Sequence, residues 1–351
     1  MRWPWKSSLS KDQFVVSWSA NTLAYVRARA DGNGTFTVQQ MGVERLGSDS
    51  MADFVRRLQG LGLKGLVARV MLRPEQYQLL QIDTPPVSPE ELRSAARYQI
   101  RDMVSVHIDD ITLDVMKVGD GQHKGPDHMF VVAATNQVVR DVLALGDALH
   151  WTIPVIDIQE TAQRNLQSLL AQGEGRLDRA DAALLICGDQ QAVLTISANE
   201  ELFFTRRLDL PQGFMAMDWG GGHTDTPSDA DAFTPVEEYV PDYALGGAAQ
   251  TASGALAQGD DERVQRLLVE VQRSLDLWDR TWSTMPLSGL RVFAGERSAE
   301  LAAWLGREMG QSVSAMDLAT QFPGLHDLSA QDLLYGLPLL GVLLRTETRK
   351  L

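Results

Sequence analysis

The sequence predicts an α/β protein of two similarly ordered lobes, and three observations predict it. Its 351 residues exceed what one ordinary hydrophobic core usually holds. Strand-rich runs followed by alternating helix and strand occur twice, which places the lobes at about 1–176 and 177–351. The composition, 44% hydrophobic and 22% charged, is that of a soluble globular chain without collagen-like, coiled-coil or low-complexity bias.

In the first lobe, 13–18 and 35–40 are rich in β-branched and aromatic residues and flank Asp31-Gly32-Asn33-Gly34, a turn signal, so they read as antiparallel strands. A helix follows at about Ser50 to Gln59, with Phe54, Val55 and Leu58 on one face, and Gly65–Val70 reads as a buried strand. Ser88-Pro89-Glu90-Glu91 is a helix start: Ser88 can cap, Pro89 suits the first helical position and Glu91 completes a capping box. Leu92, Ala95, Ala96, Gln99 and Ile100 give that helix an apolar face. Arg93, Arg97 and Arg101, four residues apart, share the other. Strands at 111–118 and 130–134, a helix at about 136–150, a strand at 153–157 and a helix from Gln159 to Ala171 complete the first half.

The second half opens with three closely spaced β-rich runs at 182–186, 192–197 and 201–206, a meander. A Gly-, Pro- and Ser-rich loop at about 213–260 follows. Beyond it the sequence predicts a helix at 262–282, a strand at 290–294, a helix at 298–309, a strand at 312–315 and a last helix from about Ser329.

The formal net charge of −14 argues against nucleic acid as a partner. Much of the acidity is local: from Leu208 to Glu262 there are eleven acidic residues and no Lys or Arg, while residues 1–80 carry eleven Lys and Arg against six Asp and Glu. The start Met1-Arg2-Trp3-Pro4-Trp5-Lys6 runs into polar Ser7-Ser8, so no secretory signal is expected. The uncharged run 333–344 is shorter than the roughly 20 residues that span a bilayer and reads as a buried helix. The lone Cys187, in an apolar run, cannot form an internal disulfide and fits a reducing compartment.

A meander followed by α/β units, present twice, resembles the actin-like, ribonuclease H-like duplicated fold. The segment from Ile82 to Val118, with Thr84-Pro85-Pro86-Val87-Ser88-Pro89-Glu90-Glu91-Leu92 and Ile108-Asp109-Asp110-Ile111-Thr112-Leu113-Asp114, resembles the small inserted subdomain of the PilM/MshI pilus-assembly family. Val131-Val132-Ala133-Ala134, Pro154-Val155-Ile156-Asp157, Glu270–Leu275 and Val292-Phe293-Ala294-Gly295 resemble later segments of the same family. Ser105-Val106-His107 stands where the family tends to carry a proline after the capped helix.

The resemblance implies a subdomain inserted at about 72–130. It also implies a cytoplasmic scaffold at the inner-membrane face, serving assembly of an MSHA-type type IV pilus by binding the cytoplasmic tail of a PilN/MshJ-like inner-membrane protein. In the family that tail lies between the first lobe and the inserted subdomain, which makes Arg93, Arg97, Tyr98 and Arg101 candidate contacts. A functional ATPase and the cytoplasmic module of a type II secretion L-type protein are the rival readings. The latter would continue into a transmembrane helix, which is not expected in this chain.

Nucleotide binding in this fold needs two phosphate hairpins, each with an Asp for metal and water, and a glycine-rich adenosine loop. At the first hairpin, Ser17, Ser19, Asn21 and Thr22 mark the positions, with Ser17 in place of the Asp and Ser19 in place of Gly. At the second, Gly188 and Asp189 remain but Ile186 stands at the expected acidic position; at the adenosine loop Gly295 is followed by Glu296. Neutral or apolar side chains do not hold Mg²⁺. No hydrolysis, catalytic residue, metal or cofactor is therefore expected, with low-affinity, metal-free ATP binding still allowed.

Other motifs are weak. Asp218–Asp225 resembles a glycine-rich phosphate hairpin but lacks flanking strands, so it reads as a loop. The six histidines show no metal-ligand spacing, and no Gly-x-Ser-x-Gly elbow occurs. Trp3 and Trp5 beside Arg2 and Lys6 suit a peripheral membrane contact or a tail packed on the first lobe.

Overall fold

The computed structural model describes residues 12–19, 21–31, 35–121, 127–186, 191–217, 219, 252–325 and 328–346, with side chains described from 264 onward in the long helix and excluding 330 and 331. The N-terminal tryptophans, Cys187, Gly188, Asp189, most of the acidic loop and the Asp218–Asp225 motif apart from Trp219 lie outside these residues.

Two five-stranded sheets share one topology. The first has the order β3-β2-β1-β4-β8, from β1 (Asp12–Ser19), β2 (Thr22–Ala30), β3 (Phe36–Arg45), β4 (Val67–Leu72) and β8 (Thr152–Ile158). The second has the order β11-β10-β9-β12-β13, from β9 (Ala180–Ile186), β10 (Gln191–Ala198), β11 (Glu201–Asp209), β12 (Leu287–Phe293) and β13 (Val313–Ala315). In each, an antiparallel meander is extended by two parallel strands. Between β4 and the helix α3 (Asn136–Ala148) sits a third sheet, β5-β7-β6, from β5 (Tyr77–Asp83), β6 (Ile111–Lys117) and β7 (His128–Thr135).

Two sequence expectations are corrected, and one expected strand is given its place. Strands 13–18 and 35–40 are not partners; β2 lies between them, its Leu23, Tyr25, Val26 and Ala28 buried while Arg27 and Arg29 face outward, a pattern whose arginines hide the strand. The run 130–134 falls in β7, the central strand of the small sheet, paired antiparallel on both sides. Ser88 does accept the turn bond from Glu91 N and donates from its hydroxyl to Glu91, but Ser88–Glu91 is a turn, and α2 spans only Leu92–Gln99.

Each sheet is covered on both faces. One face of the first packs α1 (Met51–Gly60) and α3 through Phe14, Val16, Phe54, Leu58, Val142 and Leu145. The outer face of the second packs α5 (Ala252–Thr281) and α6 (Ser298–Met309) through Leu184, Ile186, Trp278 and Leu305. The inner faces meet across α4 (Gln159–Gly173) and α7 (Ala330–Leu343) in one shared core: Val15, Val26 and Met71 from the first sheet, Ala183, Leu185 and Phe293 from the second, Leu166 and Leu170 from α4, and Leu337 and Leu340 from α7.

Helix starts follow local chemistry, with Ser50, Thr135 and Ser329 each accepting a backbone N–H of the first turn. No helix among the described residues is long and apolar enough to cross a membrane. Helix α7, apolar from Leu333 onward and buried from Gly336 to Leu343, is instead the buried helix its sequence implies.

Helices α4 and α7 approach so closely that a Cβ at Gly341 would stand 2.0 Å from the Ala162 carbonyl oxygen. Gly341→Ala is therefore expected to lower stability in urea unfolding by about 1–3 kcal/mol, the usual cost of overpacking. Gly60→Ala, which meets nothing within 4 Å, is expected to be neutral or stabilising by up to about 1 kcal/mol.

Candidate functional site

The cleft-facing parity of each sheet is set by the shared core. On β1, Val15 faces the core between the lobes, so Ser17 and Ser19, two and four residues on, face the same way. Ser17 is 1% exposed and its Oγ finds no hydrogen-bond partner among the described residues. Asn21 closes the β1–β2 turn in the left-handed region, at φ 63°. Its carbonyl accepts from Leu46 N, and Thr22 pairs with Ser19 across the turn.

Ser19 Oγ donates to Glu75 Oε1 at 2.7 Å. Glu75 lies in a 3-10 turn, Pro74–Gln76, at the start of the insertion, and Gln76 Nε2 from the same turn donates to the Trp18 carbonyl at 2.8 Å. A carboxylate is thus bonded to the turn where phosphate would have to approach. A cleft-side acid of the same sheet, Asp157 near the end of β8, is 4% exposed and already engaged: Arg345 is 2.8 Å away, and Asp157 also accepts from Thr161 and Ile158 N. Among the described residues no three His, Cys, Asp or Glu side chains are placed to hold a metal ion. At the first hairpin the described residues thus offer a neutral Ser17 and carboxylates that are already engaged.

On β9 the parity overturns one sequence reading. Leu185 belongs to the core between the lobes, whereas Ile186 is buried on the opposite face against α5 and α6. Ile186 is therefore not a substituted metal-facing position. Gly188 and Asp189 lie outside the described residues.

The third loop is closed upon itself. Gly295 adopts φ 61°, Ser298 Oγ donates to its carbonyl and accepts from Ala294 N, and Glu296 is exposed. The next residue, Arg297, binds the carbonyls of Met215 and Met217 and lies 3.9 Å over the Trp219 ring. This cation–π contact ties the start of the acidic segment to the adenosine-loop position.

No protein-family model matches the chain, and no curated protein does. Among solved structures, the PilM–PilN type IV pilus biogenesis complex matches with a TM-score of 0.64 at 16% identity, covering 95% of this chain and 97% of that chain. The cytoplasmic domain of EpsL, an inner-membrane component of the Vibrio cholerae type II secretion system, matches with a TM-score of 0.39 at 14% identity, over 61% of this chain and 79% of that one. A Bacteroides thetaiotaomicron protein of actin-like ATPase fold and unknown function matches with a TM-score of 0.45 at 8% identity, over 93% and 96%. The fold is actin-like.

In this actin-like chain the inserted subdomain is fastened to the second lobe at both ends of β11. Gly119 N donates to the Leu202 carbonyl at 2.8 Å, with Gly119 packed where any Cβ would strike the Phe203 ring, and Asn199 donates to Asp120. At the other end Arg207 donates to the carbonyls of Pro74 and Tyr77 and to the fully buried carboxylate of Glu160, 3.1 Å away; Tyr77 Oη donates to the same carboxylate. Burial and the adjacent Glu160 push the Tyr77 phenol well above its ordinary pKa. Burial works against the Arg207 charge, but Tyr77 and Glu160 more than offset it and its pKa is raised. These three residues escaped the sequence reading because none forms a motif; the signal was paired arginines, Arg206-Arg207, inside a strand.

The four candidate partner contacts separate. Arg93 pairs with Asp114 at 3.2 Å. Arg97, Tyr98 and Arg101 instead line one shallow depression, walled only by residues 94–109 and by nothing from the first lobe. They do not form a groove between lobe and subdomain.

Arg207→Ala is expected to cost about 3–5 kcal/mol in chemical unfolding, because it strands Glu160 as an uncompensated buried charge. Arg207→Met with Glu160→Gln should cost less. Because the Tyr77 pKa is raised, its stabilisation is present below the unfolded tyrosine value of about 10 and is lost as pH rises toward the folded value. Stability measured between pH 9 and 11 should therefore fall more in the parent than in Tyr77→Phe.

Proposed function

We propose that the protein is a docking scaffold for the assembly of a type IV pilus, of the MSHA type, at the cytoplasmic face of the inner membrane, and that it does not hydrolyse nucleotide. The observation that carries this reading is Glu75. Its carboxylate, bonded to Ser19, sits where an actin-like ATPase needs phosphate to approach, and Ser17 offers no charge for a metal there. Subdomain and lobes stapled through Arg207 and Glu160 suit a platform better than a hinge that opens at each turnover. The fold shared with the PilM–PilN complex over nearly the whole length of both chains supports a PilN-like partner, and the surface bound would be the cytoplasmic tail of a PilN/MshJ-like inner-membrane protein.

Calorimetric titration with ATP is expected to give no binding, or weak binding that is unchanged by Mg²⁺. Micromolar affinity that requires the metal would overturn the non-hydrolytic reading. Mixed with a detergent-solubilised PilN-type protein from the same cell, the chain is expected to form a complex that co-elutes in gel filtration and is lost when the partner's cytoplasmic tail is deleted. No co-elution, or co-elution independent of that tail, would refute the docking role.

A further inference from the structure

One end of the first lobe is left unused by the docking role. β1 and β4 run parallel, so Asp12 at the start of β1 and Val67 at the start of β4 share that end, while β4 leaves at Leu72 into the insertion. The insertion and the β1–β2 turn therefore stand at the other end, about 20 Å away along the strand. At the first end Val67 is 59% exposed, an aliphatic side chain facing water.

The same end is basic in an acidic chain. Residues 1–30 contain five Lys and Arg, namely Arg2, Lys6, Lys11, Arg27 and Arg29, against one carboxylate, Asp12. Asp12 and Arg29 stand opposite each other on β1 and β2. Lys64 lies in the turn after α1, and a Cβ at Gly62 in that turn would stand 3.7 Å from Arg27 Nη1, so Arg27 and Lys64 belong to one patch. The side chains of Arg27, Arg29 and Lys64 make no hydrogen bond or ion pair among the described residues. Two further carboxylates flank the patch: Asp31 just past β2, which accepts from Thr35, and Asp147 near the end of α3, brought close where Gly65 N donates to the Leu149 carbonyl. Positive charge still exceeds negative at this end, although the whole chain carries −14.

We propose that this end of the first lobe rests directly on an anionic lipid bilayer, with Arg27, Arg29 and Lys64 at the headgroups and Trp3 and Trp5 in the interface. The two tryptophans lie outside the described residues, but they precede Asp12 by nine and seven positions and so are within about 30 Å of it. Tryptophan beside Arg and Lys partitions to the headgroup level, and an apolar signal joined to a basic patch holds a peripheral protein where either alone is marginal. Charges farther than about 10 Å from the surface are largely screened at 0.1 M salt, so the balance at this end outweighs the total. A bilayer fits better than nucleic acid, because Trp3, Trp5 and Val67 are apolar groups that phosphate contacts would leave in water. The proposal takes from the docking role only its place at a membrane face, and it leaves the insertion on the side away from the lipid.

The test is flotation of the full chain, without any partner, on vesicles of phosphatidylglycerol mixed with phosphatidylcholine and on vesicles of phosphatidylcholine alone. Binding is expected only to the anionic vesicles, weakening as salt rises and accompanied by a blue shift of tryptophan emission. Partitioning should fall about tenfold or more in Arg29→Glu with Lys64→Glu, and likewise in Trp3→Ala with Trp5→Ala. Arg179→Glu with Arg280→Glu makes the same change of net charge at exposed positions elsewhere and should leave partitioning within about twofold. A melting temperature matching the parent separates lost binding from lost folding; if it drops, Arg29→Gln with Lys64→Gln replaces the reversed pair. No binding, equal binding to neutral vesicles, undiminished binding in the lysine–arginine or the tryptophan variant, or an equal loss in the Arg179 and Arg280 variant would overturn the proposal. Binding of the parent to a DNA duplex at the same salt, without vesicle binding, would overturn it in favour of nucleic acid. Co-elution with a PilN-type protein is measured in detergent with no bilayer present, so the docking role and the lipid contact can each fail alone.

Discussion

Helix α4 is a largely polar helix that the fold buries between two sheets, and the rest of the molecule is arranged around satisfying it. Gln159, Glu160, Gln163 and Gln167 are all at most 1% exposed. An unpaired buried amide or carboxylate costs more than a paired one contributes, and these side chains are bonded, with Gln163 Oε1 left without a partner among the described residues. Gln163 Nε2 donates to the carbonyls of Ala183 and Val193, and Gln167 Nε2 donates to that of Asp181, while Thr195 donates to Gln167 Oε1. Because these partners belong to β9 and β10, the helix that ends the first lobe is registered on the second. Glu160 extends the tie to Arg207 and, through it, to the start of the insertion.

The opposite exchange is made by α7. It follows the second sheet in the chain but packs on β1, β2 and β3 of the first, with Gly341 letting its backbone reach α4. Asn165 donates to the Gly341 carbonyl, and Arg345 beyond the helix pairs with Asp157. Each lobe is thereby completed by the helix that closes the other, and apolar side chains of both helices fill the space between the sheets.

Much of the fold was legible in the sequence because its periodicity is local. The positions of α1, α3, α4 and α6, the meander of β9, β10 and β11, and the buried character of α7 follow from apolar spacing. What failed did so for identifiable reasons. β2 was hidden by Arg27 and Arg29 on its outward side. The capping box at Ser88 formed its hydrogen bonds in a turn and not at a helix start. Ile186 was assigned to the cleft, although the alternation of β9 turns it to the outer core.

By itself the sequence determined an α/β chain with a duplicated order of elements and a first hairpin without an acidic residue at Ser17, while the insertion was an expectation of the family resemblance. Those properties depend on residue type and short-range spacing. Only the tertiary structure decided that Glu75 lies on Ser19, that Arg207 and Glu160 join insertion, helix and second lobe, and that Arg97, Tyr98 and Arg101 share a depression that Arg93 does not. The reason is distance along the chain: these contacts join residues from 47 to 133 positions apart, or sides of a helix whose burial depends on what packs against it. No local pattern encodes which charged side chains will be drawn inside and which will be left facing water.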